Sequence, residues 1–368
     1  MSEQQQPSGA TYEAAGVSID AGDKAVELMK VWVDKARRPE VLGGLGGFAG
    51  LFDASALKKL DKPLLATSAD GVGTKVAIAQ AMNVHHTIGF DLVGMLVDDL
   101  VVCGAEPLFL TDYIATGRVV PERIAAIVQG IAEACVQAGC ALVGGETAEH
   151  PGLLGPNEYD LAGSTTGVVE ASALLGPGRV EPGDVVVAMA SSGLHANGYS
   201  LVRHVLLSAI SDGGAGWSLD RQVDELGRTL GEELLQPTTI YAKACLDLAR
   251  GTATHAMSHV TGGGLAANLE RVLPDTVVAT VDRASWTPQP IFDLVRSVGA
   301  VAQADLERTL NCGIGMAAVV AASDADRAVA LLGGHGLQAW VCGEVAATDA
   351  GGTAAGGSVT LTGTHPGW

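Results

Sequence analysis

The sequence predicts an α/β fold, mixed α+β, built as two domains of similar class. Apolar runs of strand length alternate with longer helical segments, and glycines cluster where the strands end. The length of 368 residues also exceeds what one hydrophobic core usually organises. Aromatic residues make up only 4% of the chain, so the cores must consist mainly of aliphatic side chains.

The first domain is predicted over residues 12–175, after a polar terminus, 1–11, that we expect to be disordered. Its order of elements, β-α-β-α-β-β, favours a mixed sheet covered by helices. The predicted helices span 22–36, 89–103 and 121–138, and the predicted strands span 64–66, 108–114, 140–143 and 158–169.

Glycines and prolines at 176–184 place a domain boundary there, so the second domain is predicted over 176–346. Strand–glycine–helix units recur in it, which makes it similar in class to the first. Its predicted elements are a strand at 185–189, a helix at 199–210, a strand ending near 260, a helix to 272, a strand at 313–322, a helix at 325–332 and a strand at 339–345. The Gly/Ala-rich residues 347–368 are expected to form a flexible tail.

Charge and cysteine usage restrict the class of protein. A formal net charge of −19 argues against binding to nucleic acid or to an anionic membrane surface. The chain opens without a basic and apolar leader, and no apolar run approaches the roughly 18 residues of a membrane helix. Six dispersed cysteines without a C-x-x-C pair favour a reducing compartment, so we expect a cytoplasmic protein.

The stretch at 64–75 has the composition of a loop that binds metal and phosphate. The apolar run 64–66 leads to a carboxylate, and glycines, a hydroxyl and an ammonium group follow it: Asp70, Gly71, Gly73, Thr74 and Lys75. Glycines let backbone N–H groups approach phosphate closely, and a lysine adds positive charge. The alternative is a plain strand-to-turn junction with an exposed lysine.

Two further acids stand in similar settings. Glu146 follows the strand at 140–143 and two glycines, and Asp99 lies on the apolar helix 89–103 beside Asp98. Acids in an apolar helix are costly to bury unless a cation compensates, although a solvated polar face would also explain them. Three acids near strand or helix ends are what a divalent cation bound to a nucleotide requires.

Two glycine-rich loops complete the candidate site. Residues 43–50 are not a dinucleotide fingerprint, because no apolar strand precedes them; we interpret them as a loop that closes over a ligand with Phe48 as its anchor, or as a linker. The loop 191–198 joins a strand to a helix, an arrangement that binds phosphate, and it contains His195. By spacing alone Lys30 is a surface lysine of the first helix.

Several ordered segments resemble the phosphoribosylformylglycinamidine cyclo-ligase family, also called aminoimidazole ribonucleotide synthetases. The similarity runs from about residue 12 to 345 and rests on the segments 12–22, 43–48, 70–75, 99–107, 142–149, 191–201, 235–241, 260–264 and 311–316. So many ordered matches are far more specific than any one of them.

The resemblance implies a reaction and a partner. Members of the family use ATP to close the imidazole ring of formylglycinamidine ribonucleotide, which yields aminoimidazole ribonucleotide, ADP and phosphate in purine biosynthesis. Catalysis of this kind is mostly positioning and neutralisation of charge. The family resemblance further implies Mg²⁺ as a cofactor and a homodimer formed through the N-terminal sheets, with ATP near the interface.

The same resemblance implies roles for individual residues. It assigns magnesium to Asp70, Asp99 and Glu146, and catalytic positions to Lys30, Asp99 and His195. Nucleotide or substrate phosphates would be held by Gly71, Gly73, Thr74 and Lys75, by the closing loop with Gly44, Gly46, Gly47 and Phe48, and by the cradle of Ser191, Ser192, Gly193 and Asn197.

Relatives with the same fold are weaker alternatives. Selenophosphate synthetases carry a reactive Cys in the N-terminal glycine loop, whereas the first cysteine here is Cys103. Formylglycinamidine synthetases are much longer, and thiamine-phosphate kinases and hydrogenase-maturation proteins lack the opening 12–22 in this form. A scaffold without catalysis is disfavoured because the candidate acids and Lys75 are all present.

Overall fold

Two mixed β-sheets with packed helices form the protein, as the sequence predicts. The computed structural model describes residues 12, 15–44, 46–348 and 357–368, so the predicted disordered terminus 1–11 lies outside the described residues. The helices are α1 Ile19–Lys35, α2 Val76–Met82, α3 Thr87–Val101, α4 Pro121–Ala138, α5 Tyr199–Leu206, α6 Leu230–Leu234, α7 Ala242–Gly251, α8 Gly264–Glu270, α9 Pro290–Val298, α10 Gln303–Thr309 and α11 Ala325–Gly334. The strands are β1 Val41–Leu42, β2 Leu51–Phe52, β3 Pro63–Gly71, β4 Glu106–Thr116, β5 Ala141–Glu149, β6 Tyr159–Glu170, β7 Val185–Ala190, β8 Gln222–Val223, β9 Arg228–Thr229, β10 Thr254–His259, β11 Val277–Asp282, β12 Ile314–Val320, β13 Ala339–Ala347 and β14 Val359–Thr362.

The first sheet has the order β3-β6-β4-β5 and carries helices on one face. Strand β6 is antiparallel to both of its neighbours, whereas β4 and β5 are parallel and are joined by α4. Helix α4 begins with Pro121 at its first turn and ends at Gly139, whose φ of 77° is the left-handed conformation that glycine adopts most easily at a helix end. Helix α3 is buried on nearly all sides between this sheet and the second domain.

The opposite face of the first sheet is largely uncovered by the described residues. Leu65 of β3 is 66% exposed and alternates with partly buried residues, and Tyr113 of β4 is 41% exposed and alternates with buried residues on the helix side. The outer edges of β3 and β5 have no further strand paired with them in the part of the chain that the structure describes. An apolar sheet face with two open edges is a surface that proteins normally cover.

The second sheet has six strands in the order β10-β12-β7-β13-β11-β14. Its interior strand β12, next to the edge strand β10, is buried at every residue, which fits its sequence of small and aliphatic side chains. Helix α11 packs on β7 and β13, and α8 packs by β10 and β14. No helix within the described residues combines the length and apolar character that crossing a bilayer requires.

The expectation of a flexible tail at 347–368 is wrong for its last part, and residues 349–356 of that tail lie outside the described residues. Strand β14 pairs in parallel with β11, from Ala279 with Val359 to Asp282 with Thr362. After it, His365 is buried, and its ring lies edge-on between two tryptophans, with centroids 4.6 Å from Trp286 and 4.5 Å from Trp368. A four-residue strand after a Gly/Ala-rich run is too short to show a period in the sequence.

Glu307 holds this C-terminal segment in place. Its carboxylate accepts hydrogen bonds from Arg283 at 2.7 and 2.8 Å and from Gln303 at 2.8 Å, and His365 lies 3.5 Å away. Burial by itself would raise the pKa of Glu307, but these hydrogen bonds outweigh burial and lower the pKa to about 2. The stability they contribute is therefore present above the usual glutamate pKa of about 4.3 and is lost as the pH falls towards 2.

The Glu307→Gln variant should be less stable than the wild type by on the order of 2 kcal/mol at pH 7, because charge-assisted hydrogen bonds are lost. Urea unfolding at pH 7 and at about pH 3.5 measures the difference in the free energy of unfolding. This difference should narrow at the lower pH, because Glu307 of the unfolded wild-type chain is then largely protonated while the folded chain keeps its carboxylate. The exposed Glu225→Gln variant is the control. An equal difference at both pH values would contradict this role of Glu307.

Candidate active site

Asp70 and Asp99 form a pair of carboxylates at one corner of the first sheet. Asp70 lies inside β3, opposite Gly163 of β6, and not in a loop after the strand as predicted. Its Oδ1 accepts a hydrogen bond from the Gly71 N–H at 2.7 Å. Burial raises the pKa of Asp70, and the neighbouring negative charge of Asp99 raises it further. Two carboxylates that disfavour each other's charge are a natural place for a cation.

A polar cleft of about 280 Å³ between the two domains opens beside Asp99. Its polar lining is Thr67, Ser68, Asp99, Ser258, His259, Asn268 and Arg271. His259 is buried, its Nδ1 lies 2.9 Å from Asp99 Oδ1, and its Nε2 has no hydrogen-bond partner among the described residues. His259 was not among the predicted site residues, although it ends strand β10 before a glycine turn.

Glu146 lies at the other edge of the sheet, so the three acids do not meet within one chain. Asp70, Gly163, Asp112 and Gly145 lie in register across the four strands. Asp70 and Gly145 are therefore separated by three strand spacings, or about 14 Å. Glu146, next along β5, points to the opposite face because side chains alternate. No three metal-binding side chains cluster among the described residues, and the predicted convergence is wrong for a single chain.

Lys75 is not a phosphate ligand, contrary to the prediction. Its ammonium group is fully buried and uses all three donors: 2.8 Å to Asp91 Oδ1, 2.9 Å to the His195 carbonyl and 2.6 Å to the Gln236 carbonyl. Burial lowers the pKa of Lys75, and the adjacent Asp91 carboxylate opposes that shift. Lys75 therefore joins the first domain to two loops of the second.

The helix acids other than Asp99 also join the domains. Asp91 and Asp98 share one face of α3, as their spacing predicts, and both are fully buried. Asp91 Oδ1 accepts hydrogen bonds from the backbone N–H and hydroxyl of Thr238, and Asp98 accepts from the backbone N–H of Tyr241. Burial raises the pKa of Asp98 to about 7. Hydrogen bonds across the interface stabilise both carboxyl groups, and the Lys75 ammonium group in addition pairs with Asp91.

Several polar groups of the loop 191–198 form hydrogen bonds within the protein. Ser191 Oγ donates to Asn311, and Ser192 Oγ donates to the Pro237 carbonyl at 2.6 Å. The Gly193 carbonyl accepts from the same asparagine, whereas no hydrogen bond to the Asn197 side chain is present among the described residues. The two serine hydroxyls therefore cannot also donate to a sugar phosphate. The predicted cradle of backbone N–H groups in this loop stays a prediction.

His195 is buried in that loop and does not face the cleft. It is 2% exposed, and its Nε2 accepts a hydrogen bond from the Ser192 N–H at 3.2 Å. Burial lowers the pKa of His195 well below its usual value, so the ring is neutral. Its φ of 59° is uncommon for a residue other than glycine, and Lys75 binds the carbonyl of this turn. These contacts give His195 a structural part in the loop, and its predicted catalytic role stays a prediction.

A second group of predicted residues surrounds the edge of β5. Gly44, Gly46, Gly47 and Phe48 line a cavity of about 430 Å³ together with Thr111, Asp112 and the segment 143–146 of β5. The Phe48 ring is fully exposed, so it anchors nothing within one chain. Lys30 is exposed on α1 near this edge. Gly71, Gly73 and Thr74 lie with Asp70 at the far edge, where Thr74 Oγ1 is 3.4 Å from Ser200 Oγ.

Sequence comparisons identify the family. Residues 52–169 match the profile described as "AIR synthase related protein, N-terminal domain", and 181–354 match "AIR synthase related protein, C-terminal domain". A phosphoribosylformylglycinamidine cyclo-ligase of Syntrophotalea carbinolica is 48% identical over 91% of this chain and 94% of its own. The protein of that name from Anaeromyxobacter sp. is 52% identical over 91% of this chain and 95% of its own.

Structural comparisons agree on the fold. Thiamine-monophosphate kinase of Stenotrophomonas maltophilia aligns with a TM-score of 0.66 at 20% identity, over 93% of this chain and 96% of its own. A hydrogenase maturation protein, HypE, in complex with ATP aligns with a TM-score of 0.62 at 18% identity, over 90% of this chain and 88% of its own. The fold is shared across these enzymes, and the sequence relatives decide among them: the chain belongs to the phosphoribosylformylglycinamidine cyclo-ligase family, ATP-dependent ligases of purine biosynthesis.

Proposed function

We propose that the chain closes the ring of formylglycinamidine ribonucleotide at the corner formed by Asp70, Asp99 and the polar cleft. The formyl amide oxygen attacks the γ-phosphorus of ATP, and ADP leaves. An amidine nitrogen then attacks the activated carbon, loses its proton, and phosphate departs with the oxygen. The observation that carries the proposal is the adjacent carboxylate pair beside a polar cleft lined by both domains.

Mg²⁺ is proposed as the cation of the Asp70–Asp99 pair. Magnesium in phosphoryl-transfer sites is commonly held by one or two carboxylates plus substrate phosphates, so it needs no third acid from the same chain. The raised pKa of Asp70 supports a cation site here, because a bound cation would offset the repulsion between the Asp70 and Asp99 carboxylates. When bound, the ion would neutralise charge on the triphosphate during phosphoryl transfer.

The polar cleft is proposed to take the sugar phosphate. Arg271 lies at its exposed side, and the hydroxyls of Thr67, Ser68 and Ser258 line it. Guanidinium and hydroxyl groups are common donors to phosphate oxygens. This placement replaces the cradle expected from the loop 191–198, whose serine hydroxyls donate to the protein itself.

A homodimer is proposed to complete the site. The first sheet has an uncovered face and open edges at β3 and β5. If the first sheets of two copies of the chain packed against each other, this face would be buried and the edges would be paired. If β5 of one copy lies beside β3 of the other, Glu146 approaches the partner's Asp70. The carboxylates that stand about 14 Å apart in one chain would then belong to one shared site.

The reaction is tested by ADP release. Purified protein with Mg-ATP should release ADP only when formylglycinamidine ribonucleotide is added, and aminoimidazole ribonucleotide should form in equal amount. Selenide and thiamine phosphate serve as control substrates, because enzymes of related fold use them. Release of ADP with either control, and none with the ribonucleotide, would contradict the proposed reaction.

Mixing two inactive variants tests the shared site. Asp70→Asn and Glu146→Gln proteins should each be inactive, and mixed dimers should carry one intact site. Full exchange of subunits should therefore restore about one quarter of wild-type activity. Sedimentation before and after mixing checks that dimers form and exchange. Exchanged dimers without any recovered activity would show that the two carboxylates serve separate sites.

A further inference from the structure

The C-terminal segment, residues 357–368, has no part in the proposed reaction, although it is packed against the second domain. Its strand β14 pairs with β11 and forms the edge of the second sheet. Val359 and Leu361 of β14 pack against the apolar core that this sheet forms with α8, and that core includes Leu265 and Leu269 of the helix. The segment therefore lies directly against α8.

Helix α8 supplies part of the wall of the polar cleft. Asn268, Arg271 and Val272 line the cleft, and they lie in the last turn of α8 or directly after it. Asn268 Nδ2 donates to three carbonyls of the segment 261–264 at 2.8 to 3.3 Å, which fixes the glycine turn before the helix. Arg271 Nη1 donates to Asn268 Oδ1 at 3.3 Å. The position of α8 therefore sets where the Arg271 guanidinium lies in the cleft.

The last turn of α8 is bound directly by the C-terminal segment. The Val359 N–H donates to Glu270 Oε1 at 3.2 Å, and Glu270 immediately precedes Arg271. Leu361 and Leu265 line the same narrow gap beneath the segment, so the two leucines approach each other from β14 and α8. The contact thus reaches the helix through one hydrogen bond and one apolar side chain.

The first turn of α8 is connected to the segment through Glu307. A Cβ added at Gly264 would lie 1.7 Å from the Glu307 carbonyl oxygen, so the backbones of α8 and α10 touch there. Arg283 donates to the Glu307 carboxylate and also to the Leu361 carbonyl at 2.6 Å. His365 Nδ1 donates to the Arg283 carbonyl at 3.2 Å. Both ends of α8 are therefore held by contacts that include the C-terminal segment.

We propose that the C-terminal segment is a positioning element that holds α8 so that Arg271 meets the phosphate of the ribonucleotide. The inference rests on the proposed function, which places the sugar phosphate in the polar cleft, and it makes Leu361 a positioning residue. Hydrogen bonds from a guanidinium to phosphate depend on geometry, and a displacement of about 1 Å is costly. The carboxylate pair proposed for Mg-ATP belongs to the first domain, so nucleotide binding should not depend on the segment.

Separate binding of the two substrates to Leu361 variants tests the inference. Leu361→Ala should weaken ribonucleotide binding about tenfold, because α8 loses its apolar contact with β14, and should leave the Kd of Mg-ATP unchanged. Leu361→Met, which fills a similar volume, should keep wild-type affinity. Thr360→Ala changes an exposed neighbour and should change neither affinity. Calorimetry of the ribonucleotide with a saturating, non-hydrolysable ATP analogue and Mg²⁺ measures binding without turnover.

A variant on the other face of the second sheet separates positioning from loss of stability. Leu332 of α11 is fully buried in the core on that face, whereas α8 and β14 share the opposite core. Leu332→Ala should lower the free energy of unfolding at least as much as Leu361→Ala and should keep wild-type affinity for both substrates. An equal loss of ribonucleotide affinity in the two variants would show that the segment contributes only stability and would overturn the proposal.

A double-mutant cycle tests whether the segment acts through Arg271. Arg271→Ala should weaken ribonucleotide binding at least tenfold, and adding Leu361→Ala should then cause little further loss, because the group to be positioned is absent. The same loss from Leu361→Ala in both backgrounds would overturn the proposal and leave the sugar phosphate in the cleft. Wild-type affinity of Arg271→Ala would overturn both the proposal and that placement. The ADP-release assay remains a separate test of the reaction.

Discussion

The Asp70→Asn variant is expected to lose ribonucleotide-dependent ADP release by roughly 10³-fold, because the site loses the carboxylate that would hold Mg²⁺ against the triphosphate. The fold should survive the change. The one hydrogen bond that Asp70 accepts within the described chain comes from the Gly71 N–H, and an asparagine oxygen can accept it too. Initial rates at saturating Mg-ATP, together with the unfolding temperature, measure both effects.

The matched control lies just before the same strand. Asp61 is exposed ahead of β3, about 30 Å of extended chain from Asp70, so Asp61→Asn should leave the rate unchanged. Thermal shifts with Mg-ATP add a second measurement, since a ligand at about 100 times its Kd stabilises by roughly 2.7 kcal/mol. A variant with wild-type turnover and a full Mg-ATP shift would remove Asp70 from the metal site.

The Lys75→Met variant should be destabilised by about 3–5 kcal/mol, because Asp91 would be left as a buried charge without a partner. The same change frees two carbonyls, at His195 and Gln236, that Lys75 now binds. Denaturant unfolding measures the loss. If Lys75 were a phosphate ligand instead, nucleotide affinity would fall while stability stayed close to that of the wild type.

Two further variants test whether the unpaired charge of Asp91 causes the loss of stability in Lys75→Met. Lys75→Met combined with Asp91→Asn should recover much of the stability, because the unpaired charge is gone and Thr238 still has an acceptor. Lys24 forms an exposed ion pair with Glu122 between α1 and α4, so Lys24→Met should stay close to wild-type stability. A double variant no more stable than Lys75→Met would show that the buried charge is not the cause.

The strand and helix pattern was largely predictable because local periodicity creates it. Helix α4 has the predicted bounds 121–138, and the central strands of both domains fall where apolar runs predicted them. Strand ends were less well predicted: Asp70 and Glu146 lie inside β3 and β5, since a strand continues wherever neighbouring strands pair with it. The strand β14 was missed because four residues are too few to show a period in the sequence.

The fold class and the family follow from the amino-acid sequence alone, because periodicity, glycine positions and ordered motifs are local. Which of the candidate site residues meet depends on how the folded chain packs. Strand order placed β6 and β4 between Asp70 and Glu146, and burial made Lys75 and His195 parts of the domain interface. Packing also brought His259 to Asp99 and placed the C-terminal segment against α8. Contacts between residues distant in sequence depend on packing, and no local pattern encodes them.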